Sequence, residues 1–351
     1  MSIKSLLAGS VLAAAGVAVV ALSGVVPVAG SAQAQDDPVE IRFSHWVPPT
    51  HPLQAAITEW GESINKASDG TISVTIFPAQ QLGAAKDTYD MVRDGIADMG
   101  YINPGYTPGR FPIFDAANLP FNVTNATDGS AAIDEWYSRY ADKEMGDIYV
   151  CLANAHDPGA FHSKEQIAVP GDVDGMKVRP ANGTISKLVT MLGGQPVQVS
   201  APESREALER GVADAITFPW GSILLFGIDK TTKYHLDMPL YVVGFVWGMN
   251  QDFYDSLSDA QKKVIDDHCN PEWAKQTSVG WAAYESGGRD KIKAMPDHTV
   301  TEPTPDQVAA WREAVAPMLD EWKKTVNDAG HDADAIWADL GDTLKKYNSQ
   351  Y

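Results

Sequence analysis

A chain of 351 residues, 44% apolar, 21% charged and 9% aromatic, has the length of two ordinary domains and the composition of a folded protein. Disordered, fibrous and disulfide-stapled miniature folds are excluded. The formal net charge of −19 argues against nucleic acid or an anionic membrane surface as a partner, because phosphate binding needs clustered Lys and Arg.

Residues 1–34 read as a cleavable signal peptide: Lys4 supplies the positive start, an apolar run covers 11–28, and Ala32-Gln33-Ala34 is a small-x-small cleavage site. Cleavage after Ala34 predicts a periplasmic mature chain that does not insert into the membrane, since no later segment reaches spanning length. That compartment permits Cys151 and Cys269 to pair without requiring it. Cys151 lies in an apolar strand-like run, 148–152, where a free thiol also packs well as a small hydrophobe.

The mature chain opens with Ile41-Arg42-Phe43 as a strand, followed by Leu53, Ile57, Trp60, Ile64 and Ala67 at helical spacing up to Asp69-Gly70. Ile72, Val74 and Ile76 alternate as a second strand closed by Pro78. A helix is expected over 84–95 and a third strand over 99–102. A second block from Asp157-Pro158-Gly159 repeats the alternation, with strands at 176–178, 196–199 and 215–218 and helices over 185–192 and 203–210. Beyond Gly248 the pattern turns helical, and Val308, Trp311, Val315, Met318, Trp322 and Val326 form one apolar stripe.

This order predicts an α/β protein of two lobes, each a largely parallel sheet covered by helices, with ligand at the carboxyl ends of the strands. No Gly/Ser-rich linker separates the lobes, so the chain is expected to cross between them more than once around a hinged cleft. The expected division is 35–156 with about 246–285 in lobe I, and 157–245 with about 286–351 in lobe II.

Dinucleotide, P-loop, nucleophile-elbow and HExxH spacings are all missing, so the sequence offers no catalytic residue and no cofactor. His45 and His51 flank a proline-rich turn without an acidic or thiol partner, which is no metal site. His45 and Trp46 leave the first strand, where they cap packing or face a ligand.

Three strings carry a resemblance: Asp174-Gly175-Met176-Lys177-Val178-Arg179, then Leu192-Gly193-Gly194-Gln195-Pro196-Val197, then Ala207-Leu208-Glu209-Arg210-Gly211-Val212-Ala213-Asp214. With Phe77-Pro78-Ala79-Gln80-Gln81-Leu82-Gly83, Asp94-Gly95-Ile96-Ala97-Asp98 and Asn118-Leu119-Pro120-Phe121, they resemble the solute-binding proteins of TRAP transporters, dicarboxylate type, over nearly all of the mature chain. The resemblance implies a two-lobed binding protein of the type II periplasmic kind with long C-terminal helices. Such a protein closes as a monomer on an organic acid and delivers it to a membrane permease driven by an ion gradient. It also implies that Arg179 is the principal ligand contact, a role its planar fork of donors suits.

Sialic-acid-binding members carry a second arginine where this chain has Gly159, and an asparagine where it has Phe218. A site with one anionic anchor and an aromatic wall favours a monocarboxylate, such as a 2-oxo, 2-hydroxy or aromatic acid. Loop position adds Trp46, Asn103, Tyr106, Phe161, Trp220, Phe245 and Trp247 as cleft candidates; for each, core packing is the competing assignment. A periplasmic sensor for a two-component system is the rival function. A neighbouring permease pair or histidine kinase gene would separate the two.

Overall fold

The computed structural model describes residues 36–351. The signal-peptide reading lies outside those residues. The first half of the chain comprises β1 (Val39–Ser44), α1 (Pro52–Ala67), β2 (Ile72–Phe77), α2 (Thr88–Arg93), β3 (Met99–Ile102), α3 (Ala126–Tyr137), α4 (Ala141–Glu144) and β4 (Ile148–Ala155). It continues through β5 (Ala160–Ser163), β6 (Lys177–Arg179), α5 (Gly183–Met191), β7 (Gln195–Pro196), α6 (Ser204–Glu209), β8 (Ala215–Phe218), α7 (Trp220–Leu225), β9 (Tyr234–Leu236) and β10 (Gly244–Asn250). The remainder is α8 (Gln251–Ser256), α9 (Asp259–Asp267), α10 (Pro271–Lys293), β11 (Thr299–Thr301), α11 (Pro305–Val315), α12 (Pro317–Asp328) and α13 (Ala333–Lys346).

Two sheets result, one ordered β2-β1-β3-β10-β4 and the other β11-β9-β5-β8-β6-β7. Each is parallel but for one strand. β10 runs antiparallel to β3 and β4, and β5 runs antiparallel to β8 and β9. These are the strands by which the chain passes directly from one sheet into the other, whereas β11, which returns to the second sheet only after α8, α9 and α10, runs parallel to β9.

The apolar stripe of α1 is buried as its spacing predicts, through Leu53, Ile57, Trp60 and Ile64, and His51 caps it by accepting from the Leu53 N–H at 3.1 Å. Three expected elements are altered. The helix over 84–95 is a 3₁₀ turn, Ala85–Asp87, followed by the six residues of α2. The strand over 196–199 keeps a ladder only at Gln195–Pro196. The C-terminal stripe breaks between α11 and α12 at Pro317, which has no N–H to continue a helix.

Cys151 and Cys269 are joined as a disulfide, with Cα atoms 4.7 Å apart across 118 residues of sequence. Packing as a free hydrophobe is therefore not the thiol's state, although Cys151 is buried at the same time. The 23-residue helix α10 packs on α1 and α3 beside the first sheet and on α7 beside the second. The last helix, α13, lies against α3, where the Trp136 indole N–H donates to the Ile336 carbonyl at 3.3 Å. Among the described residues no helix is long and apolar enough to cross a membrane.

Candidate functional site

The carboxyl ends of four parallel strands converge. Trp46 follows β1, Asn103 and Tyr106 follow β3, Arg179 closes β6, and Phe218 closes β8. All five line one pocket, whose free volume in this arrangement of the chain is about 30 Å³, little more than a water molecule needs. Phe245 from β10 completes the set that the sequence placed there. Its ring stacks on Tyr101 at 4.7 Å and packs against Trp46 and Trp281 at 6.1 and 5.6 Å.

Four expected residues are held elsewhere. His45 turns toward α1 and bonds the Gln54 side chain at 2.7 Å. Phe161 packs on Trp311 at 5.6 Å, and Trp247 lies in the core between Phe43 and Trp60 at 5.1 and 5.8 Å. Trp220 sits edge-on to His162 at 4.9 Å. Phe161 projects to the helix-covered face, against α11, whereas Trp247 shares a face with Phe245 but lies two residues further along β10, in the core.

Sequence reasoning missed His51, His156, Ser222, Phe226 and Trp281, which also line the cavity. Trp281 comes from the middle of α10, well beyond Phe245 in the sequence, and no local pattern marks it. It is held by Glu285 one turn on, which accepts its indole N–H at 2.6 Å. The same carboxyl, 2% exposed, also receives the Gly221 and Ser222 N–H groups and the Ser222 hydroxyl, and so joins α10 to the start of α7. Burial raises the Glu285 pKa to about 7 against these hydrogen bonds.

Arg179 is the one charged side chain in the cavity wall and is 1% exposed. Its Nε donates to the Val199 carbonyl at 3.0 Å, its Nη2 meets the Tyr106 hydroxyl at 3.4 Å, and its guanidinium carbon stands 5.5 Å over the Phe218 ring. No Asp or Glu among the described residues lies within ion-pair distance of it. A buried cation without an anion costs several kcal/mol, which a bound carboxylate would offset.

The other polar groups of the wall point the same way. Asn103 accepts the Gly105 N–H through its carbonyl oxygen, leaving its amide N–H₂ without an acceptor among the described residues. Because His51 Nδ1 accepts from Leu53, its neutral ring carries the proton on Nε2. Burial depresses the His51 pKa to about 3 and the His156 pKa to about 4, so neither adds positive charge at neutral pH. The wall thus offers one cation, several spare donors and aromatic faces.

Behind Phe218 runs a chain of imidazoles. Lys233 Nζ lies 3.0 Å from His298 Nε2, His298 Nδ1 2.8 Å from His235 Nε2, His235 Nδ1 2.7 Å from His162 Nδ1, and His162 Nε2 3.0 Å from the Phe218 carbonyl. An ammonium can only donate and a carbonyl can only accept. Every ring is therefore neutral and donates in one direction, from Lys233 to Phe218.

The family model described as bacterial extracellular solute-binding protein, family 7, matches residues 43–325. The chain belongs to this family of TRAP solute-binding proteins. It is 32% identical to a marine metagenome TRAP solute-binding protein specific for aromatic acid ligands, solved with 3-hydroxybenzoate, covering 89% of this chain and 99% of that one with a TM-score of 0.83. A TRAP solute-binding protein from Rhodoferax ferrireducens, solved with copurified benzoate, is 28% identical over 88% and 98% of the two chains, with a TM-score of 0.84. The C4-dicarboxylate-binding periplasmic protein DctP of Rhodobacter capsulatus is 22% identical over 84% of this chain and 90% of its own length. An uncharacterized Sinorhizobium fredii protein, y4mM, is matched over only 45% of its length at 25% identity.

Gly159, where the resemblance expects a second arginine in sialic-acid-binding members, could carry a side chain only by displacing Tyr241. A Cβ on Gly159 would stand 2.7 Å from the Tyr241 hydroxyl, which fills the space. Three other basic groups are committed elsewhere, Arg42 to Asp98 at 2.7 Å, Arg110 to Asp90 at 2.9 Å, and Lys164 to the Leu208 and Ala213 carbonyls at 2.8 and 2.9 Å, whereas Lys86 borders a neighbouring basin.

Proposed function

We propose that this chain is the periplasmic receptor of a TRAP transporter for a small monocarboxylate, with aromatic acids favoured, which it hands to an ion-gradient-driven permease. One observation carries the reading: Arg179 is buried in an aromatic-walled cavity with no carboxylate among the described residues in ion-pair contact with it. A carboxylate supplies that anion, and the rings of Trp46, Phe218, Phe245 and Trp281 supply apolar area for the rest of the ligand. The aromatic acids held by the two structural relatives support the same choice.

In this reading the lobes, 35–156 with about 246–285 and 157–245 with about 286–351, close on the ligand about the crossing segments, and the protein binds without chemistry. A second carboxylate would be desolvated beside neutral histidines and aromatic rings, with no cation to pair it. Calorimetric titration tests this directly. Benzoate or mandelate should bind more tightly than succinate, malate or sialic acid, and tighter binding of a dicarboxylate would overturn the monocarboxylate assignment. Solution scattering should show a smaller radius of gyration at saturating ligand if the lobes close.

A further inference from the structure

We propose that the Tyr106 hydroxyl donates a hydrogen bond to the ligand's carboxylate and so makes closure of the cleft depend on an anion. The proposal rests on the carboxylate reading above. Its starting point is the hydrogen-bond capacity of one oxygen. A phenol has two acceptor lone pairs and one proton. The Tyr106 oxygen accepts the Ala201 backbone N–H at 3.0 Å and Arg179 Nη2 at 3.4 Å. Neither an N–H nor a guanidinium can accept in return, so both lone pairs are engaged and the O–H remains to be donated. No acceptor among the described residues receives it.

The hydroxyl stands where such a donor would be used. Tyr106 lines the inner cavity beside Arg179 and also lines a larger outer basin bounded by Gln80, Lys86, Gln198 and Glu203. It therefore stands on the wall between ligand and solvent. A carboxylate offers about four lone-pair directions, enough to take the free Arg179 donors and the Tyr106 proton together.

The same oxygen joins the two sheets. Tyr106 belongs to the segment leaving β3, whereas Arg179 ends β6 and Ala201 follows β7. The segments approach closely at this lip. A Cβ on Gly105 would stand 2.6 Å from Asn182 Cβ, and one on Gly183 3.0 Å from the Pro108 side chain. Tyr106 is half-buried with the lip shut, so without an anion its proton meets at best water from the outer basin, whereas a carboxylate inside offers a charged acceptor. The shut arrangement is thus favoured when a carboxylate is present, and a neutral ligand of the same shape gives the hydroxyl a weaker acceptor.

The test compares wild type with Tyr106→Phe, titrated with benzoate and with benzamide, its neutral counterpart, alongside a crystal structure of the wild-type benzoate complex. Loss of a charge-assisted hydrogen bond should weaken benzoate on the order of tenfold or more while benzamide changes much less. In the crystal, the Tyr106 oxygen should lie within hydrogen-bond distance of a carboxylate oxygen. Unchanged benzoate affinity, equal losses for both ligands, or a hydroxyl out of reach of the carboxylate would each overturn the proposal. Failure of wild type to bind any aromatic carboxylate would instead overturn the reading it rests on.

Discussion

Arg179 is held from three sides, by the Val199 carbonyl, the Phe218 ring and the Tyr106 hydroxyl, so that its donors are oriented before any ligand arrives. Preorganisation of a planar fork is what a lysine cannot reproduce. Arg179→Lys should keep the charge and lose about 1.5–3 kcal/mol of ligand affinity, the range for hydrogen bonds to charged groups. Calorimetry with benzoate measures it, and native-like affinity in the variant would remove Arg179 from the site. Glu285 acts at one remove, since it touches Trp281 and Ser222 rather than the cavity itself. Its four donors come from two helices, so it fixes the position of one against the other.

At the scale of elements, the junction of α10 and α7 is the tightest contact that holds the site. A Cβ on Gly288 would stand 2.1 Å from Gly221 Cα, backbone against backbone, where no side chain can move aside. Gly288→Ala should therefore force the helices apart, lower stability by about 1–3 kcal/mol and loosen the Glu285 contacts to Ser222, weakening ligand binding as well. Gly287 is its control, because a Cβ there meets nothing within 4 Å. Gly287→Ala should hold or slightly raise the melting temperature through helix propensity, by about 0.5–1 kcal/mol. Equal behaviour of the two variants in thermal melts would show that the close approach is unimportant.

Across the whole molecule, the disulfide ties β4 to the segment between α9 and α10, closing a loop of 118 residues. Chain-entropy arguments give such a closure on the order of 4 kcal/mol, so replacing both cysteines by alanine should lower the melting temperature by several degrees. An unchanged melt would mean that the link contributes nothing to stability. Two sets of buried groups shape the pH dependence. His51, His156 and His162 have pKa values depressed by burial to about 3, 4 and 4. The unfolded chain protonates them below its ordinary value of 6.5 while the folded chain does not, so their contribution is lost as pH falls from there. Asp134, Glu144 and Glu285 are raised by burial to about 7, so the folded chain keeps protons that the unfolded chain has released, and their contribution is lost as pH rises through 7. The effects oppose each other between about pH 4.5 and 6.5, where stability should be nearly flat, and it should fall on both sides. Melting temperatures across pH 3 to 9 check this, and a melt that rises steadily from pH 6 to 8 would contradict it.

Much of this was legible in the chain itself. Period-2 and period-3.6 patterns placed β1, α1, β2 and the strands around Arg179 and Phe218, because a half-buried strand and an amphipathic helix each impose their own spacing on apolar residues. The family followed from strings spread over the same elements; a strand end followed by a loop nominated Trp46, Asn103 and Tyr106, and the resemblance added Arg179 and Phe218. Local pattern says where an element ends but not which way its last ring points, and so His45, Phe161, Trp220 and Trp247 were nominated for a cavity they do not line. It also could not pair Cys151 with Cys269, bring Trp281 from α10 into the wall, or set Tyr241 in the space beside Gly159. Those outcomes depend on contacts between residues far apart in sequence, which exist only once the sheets and α10 have packed. The residue types in the chain determined that a carboxylate could be gripped; the packing decided that Arg179 would be buried without an anion of its own.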